Sequence, residues 1–469
     1  MTDFTTLLVS ETDSSVAVPL EFVTEADLQS LSQTEQEWVK IAGFTAEAGT
    51  ICPLPTGDQK TGRMLAGLGT LVPTANNPWW AAAVCEKLPA GSYKITNTYT
   101  DDILAAGAFG WCMVHYKFDR YFTSASVVKQ RQLTLPLSVD TSAIQAEAHT
   151  YALVRDLVNT PTEDMGPADL QDAVEALAEE FGGTCGTFVG DDLIDENFPA
   201  VHAVGRAAAT GREPRLIDLR WGTEGGPKLT LVGKGVCYDT GGLDLKPGSG
   251  MRLMKKDMGG AAHAIGLARM IMQAGLKVDL RVIIPAVENA VSSNSYRPGD
   301  IISTRKGLFV EVGNTDAEGR IILCDALAFA CEEKPDLLLD FATLTGAARV
   351  ALGADLPATY TNTDPFWAAL EAAAAEKGDP LWRMPLWAPY DKKLNSPVAD
   401  LSNISEGGMA GSITAALYLQ RFIEADTPWA HFDLYAWTLE NQPGRPQGAA
   451  VQAIRASFEA IIKFLSLDA

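Results

Sequence analysis

From residue 161 onward the chain alternates short apolar runs with helix-like segments, and few architectures absorb that pattern. Residues 229–232, 279–287, 308–312, 337–341 and 431–435 are apolar runs of strand length. Helix-like stretches lie at Pro167–Phe181, at 259–274, which opens with small residues, and at Glu318–Cys331. Short buried strands separated by helices predict an α/β domain with a mixed, mostly parallel sheet flanked by helices. In such sheets functional sites gather at the carboxyl ends of the strands.

The first 135 or so residues are more mixed. They carry a turn cluster at 53–58 (Pro-Leu-Pro-Thr-Gly-Asp) and a strand-like run at 92–98. After an apolar-polar stretch at 133–139, Asp140 or Thr141 can cap a helix running through Val158, and Asn159-Thr160-Pro161 stops it. Three parts follow. A smaller, divergent α/β domain spans 1–138, with oligomerisation as its candidate role, a linker helix spans 139–160, and a larger α/β domain spans 161–469.

Composition narrows the partners. The 469-residue chain is 47% hydrophobic and carries a net charge of −22. That charge repels a phosphate backbone and anionic lipid, which disfavours nucleic acid and membrane surfaces as partners. No apolar stretch reaches the roughly 18 residues that a span needs, and residues 1–10 do not read as a signal peptide. Seven scattered cysteines without a C-x-x-C read as buried reduced thiols and point to the cytoplasm.

Four motifs follow strand-like runs: Lys234 to Gly242 continuing to Lys246-Pro247, Met254 to Gly260, Asn314 to Arg320, and Ala342 to Gly346. Asp316 and Glu318, two residues apart, would repel each other unless a cation lay between them. An isolated D-x-E is more often a helix N-terminal cap, but the glycines at 313 and 319 let a ligand approach the backbone. Asp239 and Asp257, each beside a Gly-Gly pair, read singly as solvated loop acids. With Asp316 and Glu318 they would put four carboxylates in one cavity, which burial forbids unless metals neutralise them. Two divalent cations balance that charge, and hard oxygen ligands suit Zn, Mn or Mg. Lys234 and Lys246 are unusual there, since a lysine amine beside divalent metals can be a ligand or carry a proton. Arg320 is a fixed cation able to bind a small anion.

Other chemistries lack their motifs. Five histidines include no H-E-x-x-H, and His263 reads as a packed residue beside the site. G-x-S-x-G is absent, and Gly233-Lys234-Gly235 lacks the rest of a P-loop.

These residues resemble the leucyl aminopeptidase (cytosol aminopeptidase) family. Residues 314–327, N-T-D-A-E-G-R-I-I-L-C-D-A-L, look like that family's signature, and the spacing back to Asp257, Lys246, Asp239 and Lys234 is similar too. The likeness extends from about Arg155 to the C-terminus and is faint before it. It implies an aminopeptidase that acts on peptides with a free N-terminus, leucine-like or other apolar residues first. It also implies two divalent ions, Mn2+ or Zn2+. Asp239 and Glu318 would bridge them, Lys234 and Asp257 would complete the tighter site, and Asp316 the more exchangeable one. Lys246 would polarise the scissile carbonyl, and Arg320 would hold a bicarbonate that serves as general base. Asn314, Thr343, Leu344 and Gly346 would line the cleft, with Met254 near the side-chain pocket. A homohexamer is implied as well.

Some positions depart from the family. Thr240 replaces a usual Ser, residues 290–295 replace a Pro/Gly-rich loop, and His431-Phe432-Asp433-Leu434-Tyr435-Ala436 replaces H-L-D-I-A-G. Tyr435 and Trp437 are bulky near the expected pocket, which bears on the leucine preference rather than on the chemistry. Two other classes compete. A catalytically idle or moonlighting binding protein on the same fold should have lost one of Lys246, Asp316, Glu318 or Arg320, and all are present. A two-metal phosphate-ester hydrolase would want more cationic clamps than Lys246 and Arg320.

Overall fold

The computed structural model describes residues 2–13, 17–55, 61–124 and 129–467. The chain divides into two compact units. One holds Met1–Ala152 with Ala375–Gly378 and Glu440–Gln447, and the other holds the remainder.

The first unit contains a six-stranded sheet in the order Leu8–Ser10, Arg131–Leu135, Gly91–Ile95, Val18–Val23, Thr61–Gly67, Ile51–Pro55. All neighbours are parallel except the last pair. The turn expected at 53–58 is corrected in part: Pro53 and Pro55 belong to an edge strand, and residues 56–58 lie outside the described residues. Proline lacks the N–H that an inner strand must donate, so the sheet edge is where the two fit. The run at 92–98 is strand only as far as Ile95.

The helix Thr141–Asn159 carries the chain into the second unit. Asp140 Oδ1 accepts the Ala143 N–H at 3.0 Å, the capping role read from sequence. The second unit is built on a nine-stranded mixed sheet. Its central strands, Asp279–Asn289, Lys228–Gly233, Leu337–Ala342 and Trp429–Asp433, are mutually parallel. Arg215–Gly222 on one side and Ala358–Thr361 on the other run antiparallel to them, and Thr184–Val189 pairs antiparallel with Arg215–Gly222. Leu337, Leu339 and Phe341 point into one apolar cluster, and Leu338 and Ala342 into another. Both faces are therefore covered, which explains runs that are apolar without alternation.

Two expectations shift. The run at 308–312 forms Phe309–Glu311 of a separate three-stranded sheet. The run at 431–435 is strand only to Asp433, and Ala436 at φ +54° turns the chain away. A strand not read from sequence, Gly235–Asp239, leaves the Lys228–Gly233 line at Lys234 and pairs with residues 286–289. That offset delivers Lys234 and Asp239 to the carboxyl end of the sheet.

Candidate active site

Residues at the ends of these parallel strands meet. Lys234 follows one strand, Asp239 and Asn289 end two others, and Thr343 follows Leu337–Ala342. Asp257 arrives on the tight turn Met254–Met258 that enters the helix Gly259–Gln273. Glu318 opens the helix Glu318–Cys331, a position where its charge suits the helix dipole.

The geometry is close. Asp239, Asp316 and Glu318 each offer an oxygen within 4.8 Å of the others. Lys234 Nζ lies 2.7 Å from Asp257 Oδ2 and 3.0 Å from Glu318 Oε1, and it donates to the Thr343 carbonyl at 3.1 Å. Lys246 Nζ lies 2.8 Å from Asp239 Oδ2 and also contacts Asp316. Gly319 lies against Lys234: a Cβ there would fall 2.5 Å from Lys234 Cε. Asp316 is the open member, its side chain 34% exposed, while Asp239, Asp257 and Glu318 are buried.

Electrostatics show what this cluster lacks. Burial and the repulsion of Asp239 push Glu318 well above the usual carboxylate range and Asp316 up to about 6. Burial also raises Asp257, against the pull of Lys234. Burial alone would lower Lys234 and Lys246, but their carboxylate neighbours outweigh it and hold both ammonium groups charged. Four carboxylates thus share two ammonium groups, and the acids remain under-compensated. That donor set suits hard divalent cations.

Arg320 lies beyond, buried, donating from Nη1 to the Asn403 carbonyl at 2.7 Å. Its Nε has no partner and no carboxylate lies within ion-pair distance among the described residues. A buried guanidinium so placed fits a small anion. Asn314 turns back on its own loop, its Oδ1 accepting the Asp316 N–H at 2.7 Å. Thr343 donates to Asp257 Oδ1 at 2.8 Å. Leu344 is half-buried beside it, Gly346 is exposed at the start of the helix Gly346–Leu352, and Met254 is half-buried on the turn that carries Asp257. His263 is fully buried, its Nδ1 2.6 Å from the Gly259 carbonyl and its Nε2 accepting the Gln452 N–H at 3.0 Å.

Sequence reasoning missed several supporting residues. Asn289 Nδ2 donates to Asp239 Oδ1 at 2.9 Å and to the Thr315 carbonyl at 3.0 Å, and lies 3.4 Å from Glu318 Oε2. Its place at the end of a long apolar run was the available signal. Asn403 accepts the Gly313 N–H at 2.8 Å and donates to the Asn314 carbonyl at 2.7 Å, from a segment with no periodic pattern. Asp433 accepts from Leu344 N, Thr345 N and Thr345 Oγ1, and so fixes the 343–346 loop.

The chain is similar to known proteins over nearly its whole length. The catalytic-domain model of the cytosol aminopeptidase family matches residues 152–456, and the M17 aminopeptidase N-terminal domain matches 18–136. A probable cytosol aminopeptidase of Aquifex aeolicus is 33% identical over 96% of each chain. One from Syntrophotalea carbinolica is 40% identical over 74% of this chain and 72% of its own. The crystal structure of cytosol aminopeptidase from Coxiella burnetii superposes with a TM-score of 0.91 at 45% identity, covering 98% of each chain. The bottromycin maturation enzyme BotP in complex with Mn superposes at 0.86 with 29% identity, over 96% of this chain and 100% of its own. No helix among the described residues is long and apolar enough to cross a membrane. With both domains matched and the acidic cluster at the carboxyl ends of its strands, the chain belongs to the cytosol aminopeptidase (M17) family and is an aminopeptidase.

Proposed function

We propose that the chain releases the first residue of peptides with a free N-terminus, using two divalent ions, Mn2+ or Zn2+, and a bicarbonate as general base. The observation that carries this reading is the excess of buried carboxylate over ammonium at one point. Asp239 and Glu318 would bridge the ions, Lys234, as the neutral amine once a metal displaces its proton, and Asp257 would complete one site, and Asp316 the other. When bound, such ions supply a water that ionises near neutral pH and polarise the scissile carbonyl. Lys246, steered by Asp239 and Asp316, presents an ammonium to the developing oxyanion. Arg320 would hold the bicarbonate through its unpartnered Nε, and the bicarbonate would accept the proton. Asn314 and the 343–346 loop, including Thr343, Leu344 and Gly346, would line the cleft, with Met254 near the side-chain pocket. The reading extends to a homohexamer in the cytoplasm on the family resemblance alone.

The test is metal-stripped protein re-supplied with Mn2+ or Zn2+ and offered leucine amide and N-acetyl-leucine amide side by side. Metal-restored cleavage of the free-amine substrate only is expected. Cleavage of both would show that the α-amine is not recognised and would end the exopeptidase reading.

A further inference from the structure

Lys256 is an anomaly beside the cleft. It is 5% exposed, yet no carboxylate lies within ion-pair distance of its Nζ among the described residues. Its neighbours are engaged elsewhere: Asp257 with Lys234 and Thr343, Asp433 with the backbone of Leu344 and Thr345. The amine rests 4.5 Å from the ring centroid of Tyr435. Arg349 is exposed, likewise without a carboxylate partner, and its Cζ lies 5.4 Å from the same centroid. An ammonium held by an aromatic face rather than by a carboxylate keeps donors free for an incoming acceptor.

Placement gives these cations a use. Lys256 shares the tight turn with Met254 and Asp257. Arg349 sits on the helix that starts at Gly346. Tyr435 lies two residues past Asp433, which anchors the 343–346 loop. Two cations without an ion-pair partner among the described residues stand out in a chain of net charge −22.

We propose that Lys256 and Arg349, arranged around Tyr435, recognise the side-chain carboxylate of an N-terminal Asp or Glu, so that the enzyme prefers acidic first residues. This rests on the aminopeptidase reading and departs from the leucine-like preference that the resemblance implies. Tyr435 fills space that a branched apolar side chain would need and orients the two donors, and a carboxylate supplies the acceptor they lack.

The experiment uses full-length Mn2+-loaded protein at neutral pH. Turnover of glutamyl, aspartyl and leucyl amides is compared, and binding of glutamic γ-acid and leucine α-hydroxamates is measured by calorimetry. None of these ligands carries a C-terminal carboxylate, so an effect is assigned to the side chain. A kcat/KM for the acidic amides above that for leucyl amide is expected, with tighter binding of the glutamic hydroxamate. In Arg349→Met and Lys256→Met the acidic-to-leucine ratio should fall about 10–100-fold, the worth of a charge-assisted hydrogen bond. Arg349 is exposed, so its variant tests the idea even if Lys256→Met fails to fold. Leucyl amide favoured over both acidic amides, or a ratio unmoved by Arg349→Met, overturns the proposal while leaving the aminopeptidase reading intact. Selective binding of the acidic hydroxamate without turnover supports the pocket and counts against the catalytic reading. Neither turnover nor selective binding overturns both.

Discussion

Asn289 holds Asp239 in place: its Nδ2 donates to Asp239 Oδ1 at 2.9 Å, leaving Oδ2 of that carboxylate toward Lys246. The same amide reaches the Thr315 carbonyl and approaches Glu318, so one side chain reaches two acids, one at a strand end and one at a helix start. Asn289→Ala should weaken Mn2+ binding about 10–100-fold, the usual cost of losing a partner that orients a ligand. Calorimetric titration with Mn2+ on a variant that keeps the wild-type circular dichroism checks this. An unchanged affinity would reduce Asn289 to packing.

Lys246 and the acids around it should separate kinetically. Lys246→Ala is expected to lower kcat on the order of 10²–10³-fold while bound metal stays near the wild-type amount. Asp316→Asn and Glu318→Gln should instead lose metal and turnover together. Metal analysis beside steady-state kinetics distinguishes the two. If metal content collapses in Lys246→Ala, the lysine is a structural member of the cluster.

Gly319 gives access to Lys234 without touching a charge. A Cβ at this position would lie 2.5 Å from Lys234 Cε and 2.8 Å from Nζ, so Gly319→Ala must displace the amine. Overpacking of this kind costs about 1–3 kcal/mol. A lower Tm with reduced metal content is the expected pair of results, and wild-type values for both would remove Lys234 from the site.

His263 predicts a pH dependence of stability. Burial lowers it to about 4 from an ordinary 6.5, and outweighs the Gly259 carbonyl beside Nδ1, which favours the charged ring. A depressed histidine favours folding fully above the unfolded value. The unfolded chain takes up the proton first, so this stability is lost as pH falls from 6.5 through 4. The total is about 3 kcal/mol. Urea unfolding of wild type and His263→Gln between pH 7 and 4 measures it. The difference between the two should shrink on acidification, and a constant difference would refute the linkage.

The motif acids and lysines were legible because two lie in one short string and the others keep a family-like spacing back from it. Asp316 and Glu318 occur within three residues of each other. Asn403 was not legible, and Asn289 offered only its place at the end of a long apolar run. Their importance lies in what they face across the fold, 50 residues apart for Asn289 and Asp239 and 89 for Asn403 and Asn314. The edge strand at Ile51–Pro55 was hidden for a similar reason, since only its place at the sheet margin makes its prolines acceptable.

The sequence by itself determined the α/β class, through apolar runs long enough for strands buried on both faces, and the inventory of charged groups that chemistry would require. Tertiary structure alone decided which of those groups meet. The step at Lys234 from one strand line to the next, and the arrival of Asp257 and Glu318 at two helix entrances, depend on backbone pairing between segments far apart in the chain. Local propensity carries no record of such pairings, because their free energy comes from contacts that exist only once the sheet has closed around them.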